Sequence, residues 1–230
     1  MDDEGYHQRL KGEKRVAALQ AAMELFFEQG YERTTLQQIA RRANLSTATL
    51  FKRFSSKAAL FEAIVEEFWR VDGPPAGIPP AGDPVAGLHV LGSDYARRMR
   101  RPEMAALYRV IIAEVSRSPQ LGQYQAERHK GPYLDRIAAY LGAEVSAGTL
   151  AIPDVRRAAH QFMGLITAEV LNPGLLFVDF AVNDEETRAA VDEAVGMIVA
   201  RYARDERCAG SPGRWRGRVR SAATSRRACR

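Results

Sequence analysis

At 230 residues, with 46% hydrophobic and 27% charged side chains, the chain suits one large domain or a small one joined to a medium one, with enough apolar content for a real core. No run approaches the roughly 18–20 uncharged apolar residues that span a bilayer, the start MDDEGYHQRL has no secretory apolar region, and Cys208 and Cys229 lack disulfide-framework or zinc spacing. A cytoplasmic protein with no membrane partner is therefore expected. The net charge of +5 is local, because eight arginines and no acid lie within 207–230. A second acid-free stretch, between Glu32 and Glu62, holds Arg33, Arg41, Arg42, Lys52, Arg53 and Lys57.

Helical periodicity dominates and strand signals are scarce, so an all-α fold is expected. Val16, Leu19, Met23, Phe26 and Phe27 recur at three- and four-residue steps and define the apolar face of a first helix ending at Gly30. Thr35 can cap a second helix, with Gln38 completing a capping box and Leu36, Ile39, Ala40 and Ala43 facing inward. Asn44 breaks that helix, since asparagine tolerates a left-handed backbone. Ser46 is a natural N-cap for a third helix through Thr47, Ala48, Thr49, Leu50 and Phe51. Ser55 or Ser56 can cap a fourth, whose stripe is Leu60, Phe61, Ile64, Val65 and Phe68.

From Gly73 to Pro84 the run GPPAGIPPAGDP reads as linker, because proline removes backbone donors and fixes φ. Helical patterns resume over 85–100 and 103–116, with Pro102 placed at a helix start. A further helix spans from near Pro119 to a cap at Gly148, with a break expected at Gly131-Pro132. Pro153-Asp154 opens a long helix over 155–171, which Asn172-Pro173-Gly174 ends. A last amphipathic helix is expected over 184–204, its first turn carrying Asp184, Glu185 and Glu186 where the helix dipole favours them. The domain plan that follows is 8–70, a linker at 71–84, a helical domain over 85–205, and a basic disordered tail at 206–230.

Three short helices with a tight turn before the third make a helix-turn-helix on pattern alone. Thr47 and Thr49 carry short hydroxyls and methyls suited to base edges, and Lys52, Arg53 and Lys57 suit phosphate. A basic block by itself more often belongs to an ordinary solvated face. The order of residues goes further. The segment TTLQQIARRANLSTATLFKRFSSKAALFEAI resembles the DNA-binding signature of the TetR family, with Thr35, Ile39, Ala40, Ala43, Ser46, Thr49, Leu50, Phe54, Ser56, Lys57, Leu60 and Phe61 in register. The resemblance implies an N-terminal three-helix helix-turn-helix domain that holds operator DNA between Thr35 and Phe54. Thr35, Ser46, Thr47, Thr49, Phe51, Lys52, Arg53 and Lys57 are its expected contacts. The chain departs from the signature at Asn44 and Ala48, where glycine is usual, and at Phe51, where a tyrosine hydroxyl would meet phosphate. Arg53 stands at a commonly aromatic or histidine position, and Ala58 replaces a common glutamate.

Further on, YRVIIAEVSRSPQLGQYQAERHKGPYLDRIAAYL and AAHQFMGLITAEVL resemble the ligand-binding domain of the AefR-like branch of the same family. That implies about five or six helices forming a ligand-binding and dimerisation domain, with a homodimer built through the last two long helices. By the same analogy the protein is a repressor released from operator DNA by a small-molecule effector of unknown identity. The alternative is a regulator of the same fold with no ligand, acting through protein contacts. Trp69, Tyr95, Met99, Tyr108, Ile112, Phe162, Met163 and Ile166 are candidates for an apolar ligand cavity, although such residues at helical spacing are also ordinary core. Glu114 and Glu169 fall in apolar surroundings, where a glutamate can meet a cationic ligand, cap a helix or pair with arginine. His89, His129 and His160 are too scattered for a metal site. No cofactor is implied. An enzyme is not expected, because the chain carries no nucleophile elbow, phosphate-cradling glycine loop or dinucleotide fingerprint.

Overall fold

Helix α1 (Asp3–Gln29) runs to Gly30, whose φ of 87° turns the chain into α2 (Leu36–Arg42). The capping box at Thr35 forms, with Gln38 N–H donating to the threonine hydroxyl at 3.2 Å and Thr35 N–H donating to Gln38 Oε1 at 2.8 Å. Asn44 takes up the left-handed conformation at φ 54°, and Ser46 caps α3 (Thr47–Arg53). Ser56, of the two serines, accepts from Ala59 N–H at the head of α4 (Lys57–Arg70). These coordinates are a computed structural model, which describes residues 3–70, 73 and 75–204. The basic tail at 206–230 and residues 71, 72 and 74 of the linker lie outside the described residues.

The linker ends where Asp83 caps α5 (Pro84–Met99), followed by α6 (Pro102–Glu114) and α7 (Pro119–Gln125). The break expected at Gly131-Pro132 takes a specific form. The chain widens into a π-turn at 126–130, with Gly131 N–H reaching back to the Ala126 carbonyl, and then continues as α8 (Gly131–Ala147). Pro132 supplies the reason: its missing N–H and its ring disrupt the regular ladder, and a π-bulge accommodates both without ending the helix. Gly148 caps α8 at φ 81°. Helix α9 (Val155–Val170) is followed by the short α10 (Asn172–Leu176) and by α11 (Asp184–Tyr202), which Asn183 and Glu186 open with a second capping box. The described residues contain helices and loops, with a single isolated bridge between Leu150 and Ala203.

One connected set of buried apolar side chains runs from Ala18 to Ile198. In its C-terminal half α5 lies at the centre, packed against α8, α9 and α11. Glycines make the closest approaches: a Cβ on Gly92 would sit 2.8 Å from Phe162, and one on Gly87 would sit 1.9 Å from the Tyr140 hydroxyl oxygen. Two expected core residues of α1 prove exposed, Val16 at 44% and Phe27 at 45%. Phe26 and Phe27 lie about 100° apart on a helix, and the inward position went to Phe26.

Candidate nucleic-acid interface

Helix α3 buries only one of its own side chains, Leu50, and leans on Phe54 just beyond its end. The rest of the helix therefore faces outward. Thr47, Ala48, Phe51 and Lys52 are exposed, and Phe51 is an apolar ring left 44% accessible. Beneath it packs α2, whose buried Leu36, Ile39 and Ala40 sit between α3 and α1, and α1 in turn buries Leu19, Ala22 and Phe26. The Ser46 hydroxyl accepts from Thr49 N–H at 3.1 Å and lies 2.7 Å from the Thr49 hydroxyl, so these two expected contacts also fasten the start of α3. The Thr35 hydroxyl likewise serves the cap of α2, accepting from Gln38 N–H and donating to Gln38 Oε1 at 3.1 Å.

The cations are not equivalent. Arg42 is committed to α1, bonding Glu24 at 3.1 Å and Glu28 at 2.8 Å. That bond holds the Glu28 carboxyl below its usual range and the guanidinium above its own. Arg33 donates to the Gln29 carbonyl at 2.6 Å. Lys57, read from sequence as a phosphate contact, points inward in large part: its ammonium donates to the carbonyls of Tyr31 at 2.5 Å and Glu32 at 3.0 Å. It also lies 4.3 Å from the Tyr31 ring centroid. Lys57 thus brackets the α1–α2 turn against α4, a role the sequence reading did not foresee. Lys52 stays exposed, and Arg53 is half-buried. The acid partners of Arg42 were missed, yet their signal was present, since Glu24 and Glu28 stand four apart on one face of α1.

The same turn is gripped from below. Glu114, buried at the end of α6, accepts from Tyr31 N–H at 3.1 Å, and its other carboxylate oxygen is buried without a partner. A Cβ on Gly30 would lie 2.7 Å from that carboxylate. Ser118 donates to Glu32 beside it. Burial, with Glu32 and Glu62 nearby, pushes the Tyr31 phenol up to about 12. Glu169, the other glutamate of interest, is exposed. At its far end α4 is tied through a fully buried Arg98, which bonds the carbonyls of Trp69 and Gly73, the Tyr133 hydroxyl and Asp94. Burial alone would raise the Asp94 carboxyl; the hydrogen bond from Tyr133 and the charge of Arg98 outweigh it and hold Asp94 below its usual range.

The candidate ligand residues do not gather around one cavity. Tyr95, Met99, Phe162, Met163 and Ile166 are packed core, with Phe162 and Ile166 filling the space above Gly92. Ile112 is corrected outright: it is 58% exposed, because Ile111 beside it takes the inward direction. Tyr108 is half-buried and accepts from Gln125, which in turn accepts from the Trp69 indole N–H at 3.3 Å. Trp69 lines an open cleft with His129 and Tyr133. The outer faces of α9 and α11 leave a shallow groove along Gly164, Leu165, Ala168 and Met197.

Comparison with known proteins agrees with this architecture. Residues 18–64 match the family described as bacterial regulatory proteins, tetR family, and residues 86–204 match the AefR-like transcriptional repressor C-terminal domain. The regulator TcmR of Streptomyces glaucescens is 32% identical over 61% of this chain and 66% of its own length. The chain spans 66% or less of the length of the first of the curated relatives it matches. A TetR-family regulator structure from Pseudomonas syringae superposes with a TM-score of 0.69 at 25% identity, covering 83% of this chain and 96% of that one. The structure named flavonoid-responsive regulator FrrA gives 0.64 at 25% identity, covering 84% and 98%. With an outward-facing α3 on a capped α1–α2 platform and a matched helical domain behind it, the chain belongs to the TetR family of transcriptional regulators.

Proposed function

We propose that this protein is a homodimeric, sequence-specific DNA-binding repressor that a small-molecule ligand releases from its operator. The observation that carries the reading is α3, a helix with Leu50 alone buried and with Thr47, Phe51 and Lys52 presented to solvent. In this reading residues 8–70 hold DNA, with the start of α3 in the major groove, where threonine hydroxyls and methyls can read base edges. Lys52, with the exposed Arg41 and with Arg53 at the end of α3, neutralises phosphate. Phe51 offers no hydroxyl to the backbone, so charge takes a larger share of the grip.

Residues 85–205 supply dimerisation and sensing. The outer faces of α9 and α11 expose Gly164, Ala168, Gly196 and Met197 beside a half-buried Leu165, and neither glycine has an atom within 4 Å of where its Cβ would stand. A second copy packed there sets the two α3 helices about 34 Å apart, one turn of DNA. Helix α4 joins the halves, with Lys57 on the α1–α2 turn at one end and the Trp69 carbonyl on Arg98 at the other. A ligand that favours a different setting of α4 changes the spacing of the reading heads, with a coupling of about 1–3 kcal/mol. The response to a small molecule in the name of FrrA supports sensing by this architecture.

The test is a fluorescence-anisotropy titration of the full chain on duplex from upstream of its own gene, against a scrambled duplex, with sedimentation of the complex. Preference for the native duplex by a dimer is expected. Equal, steeply salt-dependent binding to both duplexes contradicts the proposal.

A further inference from the structure

Between the C-terminal end of α4, the π-turn and the start of α8 lies a cleft of about 750 Å³, within the size range of small-molecule sites. One wall is aromatic. The Trp69 indole stacks on the His129 imidazole at a centroid separation of 5.5 Å and 11° between planes, and Tyr133 packs against Trp69 at 5.2 Å. The rim is cationic. Arg70, Arg128 and Arg136 line the cleft, with Glu66 the acid among the lining residues. Arg70 is paired with Glu67 at 2.7 Å, whereas among the described residues neither Arg128 nor Arg136 has a carboxylate at ion-pair distance. Two polar atoms of the wall, Arg136 Nη1 and His129 Nε2, are buried with no hydrogen-bond partner. Buried polar atoms left unmatched are costly, and turning the Arg136 guanidinium onto a polar ligand in the cleft would relieve that cost.

The floor is rigid. Tyr133 is held by Asp94 and Arg98, and Arg98 also holds the Trp69 and Gly73 carbonyls, so the ring wall is set before any ligand arrives. The π-turn places Arg128 and His129 at the cleft, a use of π-bulges that recurs at functional sites. Burial pushes the His129 imidazole below its usual range, so it adds a flat neutral face while the arginines supply the charge.

We propose that this cleft binds a planar aromatic carboxylate, its ring system against Trp69, His129 and Tyr133 and its carboxylate on Arg136 and Arg128. The planar guanidinium fork suits a carboxylate, and the ring wall selects against a bare inorganic anion. The proposal rests on the reading of the chain as a ligand-responsive regulator and names the ligand class of that response.

The full chain carries two tryptophans, so Trp215→Phe leaves Trp69 as the sole emitter. This protein is titrated by calorimetry and by Trp69 fluorescence with 2-naphthoate, with neutral 2-naphthamide and with inorganic phosphate. Binding of 2-naphthoate with matching quenching of Trp69 is expected, with 2-naphthamide and phosphate each weaker by about ten-fold or more. Arg136→Gln should weaken 2-naphthoate by about ten-fold, leave 2-naphthamide unchanged and keep the helical circular dichroism signal. Arg156→Gln, on the exposed pair with Asp135, should change nothing. Absence of 2-naphthoate binding at about 1 mM, equal binding of the amide or of phosphate, or insensitivity to Arg136→Gln each overturns the site. Anisotropy on operator DNA is run alongside. Binding to the cleft without release of DNA overturns the release reading and leaves the site standing, so the two failures are distinct.

Discussion

Replacing Lys57 with methionine separates two roles that a lysine at the head of α4 can play. The ammonium donates to two carbonyls at 2.5 and 3.0 Å and faces the Tyr31 ring at 4.3 Å. Methionine keeps the aliphatic stem and removes the charge. A hydrogen bond from a charged donor contributes about 1.5–3 kcal/mol, and a partly exposed cation–π contact about 0.5–1 kcal/mol. Glu32 is exposed, so its carbonyl can turn to water, whereas Tyr31 is buried. The expected loss is therefore about 2–3 kcal/mol, or about 5–10 °C in Tm for a chain of this size. Affinity for operator should fall along with the integrity of the α1–α2 turn. The slope of log affinity against log salt should stay unchanged, because no phosphate contact is lost. A direct contact in each protomer would lower that slope by about 1.8 per dimer, at about 0.9 per phosphate. Thermal melts and anisotropy at several salt concentrations read both quantities. An unchanged Tm with a slope reduced by about that amount would refute the bracketing role.

The remaining predictions concern the reading head, the domain junction and the buried network. Lys52→Ala should weaken all duplexes alike and reduce the salt slope by about 0.9 per protomer, while Thr47→Ala should relax base preference at one position per half-site at a cost of about 1–3 kcal/mol, read by footprinting on variant operators. Gly30→Ala meets both a φ of 87° and the Glu114 carboxylate at 2.7 Å, so it should destabilise the protein by about 1–3 kcal/mol in urea melts and weaken operator binding further than Glu114→Gln does. Arg98→Met takes the donor from the Trp69 and Gly73 carbonyls and the Tyr133 hydroxyl, while Arg97 stays on Asp94 at 2.6 Å, and should cost about 1–3 kcal/mol for each buried acceptor left unmatched. Because the folded Asp94 carboxyl is held below the ordinary aspartate range, its contribution is fully present above that range and lost as pH falls through the lower folded value. Unfolding followed by circular dichroism between neutral pH and about pH 2 should therefore show an acid-side loss that Asp94→Asn flattens.

Much of the fold was legible because local rules and tertiary packing agree. Thr35 with Gln38, Asn44, Ser46 and Gly148 each act where their chemistry predicts, since caps and left-handed turns are decided within a few residues. Adjacent apolar pairs were ambiguous, because periodicity cannot say whether Phe26 or Phe27, or Ile111 or Ile112, turns inward. The cleft was hidden for a different reason. Its wall joins Trp69 to His129 and Tyr133 across 60 or more positions, and a scattered histidine carries no spacing signal. Lys57 shows the same limit for charge: its sequence neighbours place it at a helix start beside a basic helix, and only the carbonyls of residues 31 and 32 reveal its direction. Pro132 announced a break, but a missing N–H is met equally by ending the helix or by widening it, and the sequence does not separate the two.

The central claim, that α3 reads DNA sequence in a dimer, is tested most directly by selecting binding sites for the full chain from a randomised duplex pool. The account predicts an enriched, two-fold symmetric site with half-sites about one helical turn apart, and loss of that enrichment for Thr47→Ala combined with Lys52→Ala in a protein that stays folded. A pool that stays unenriched with the folded parent protein, or a site that the double variant still enriches equally well, would contradict it.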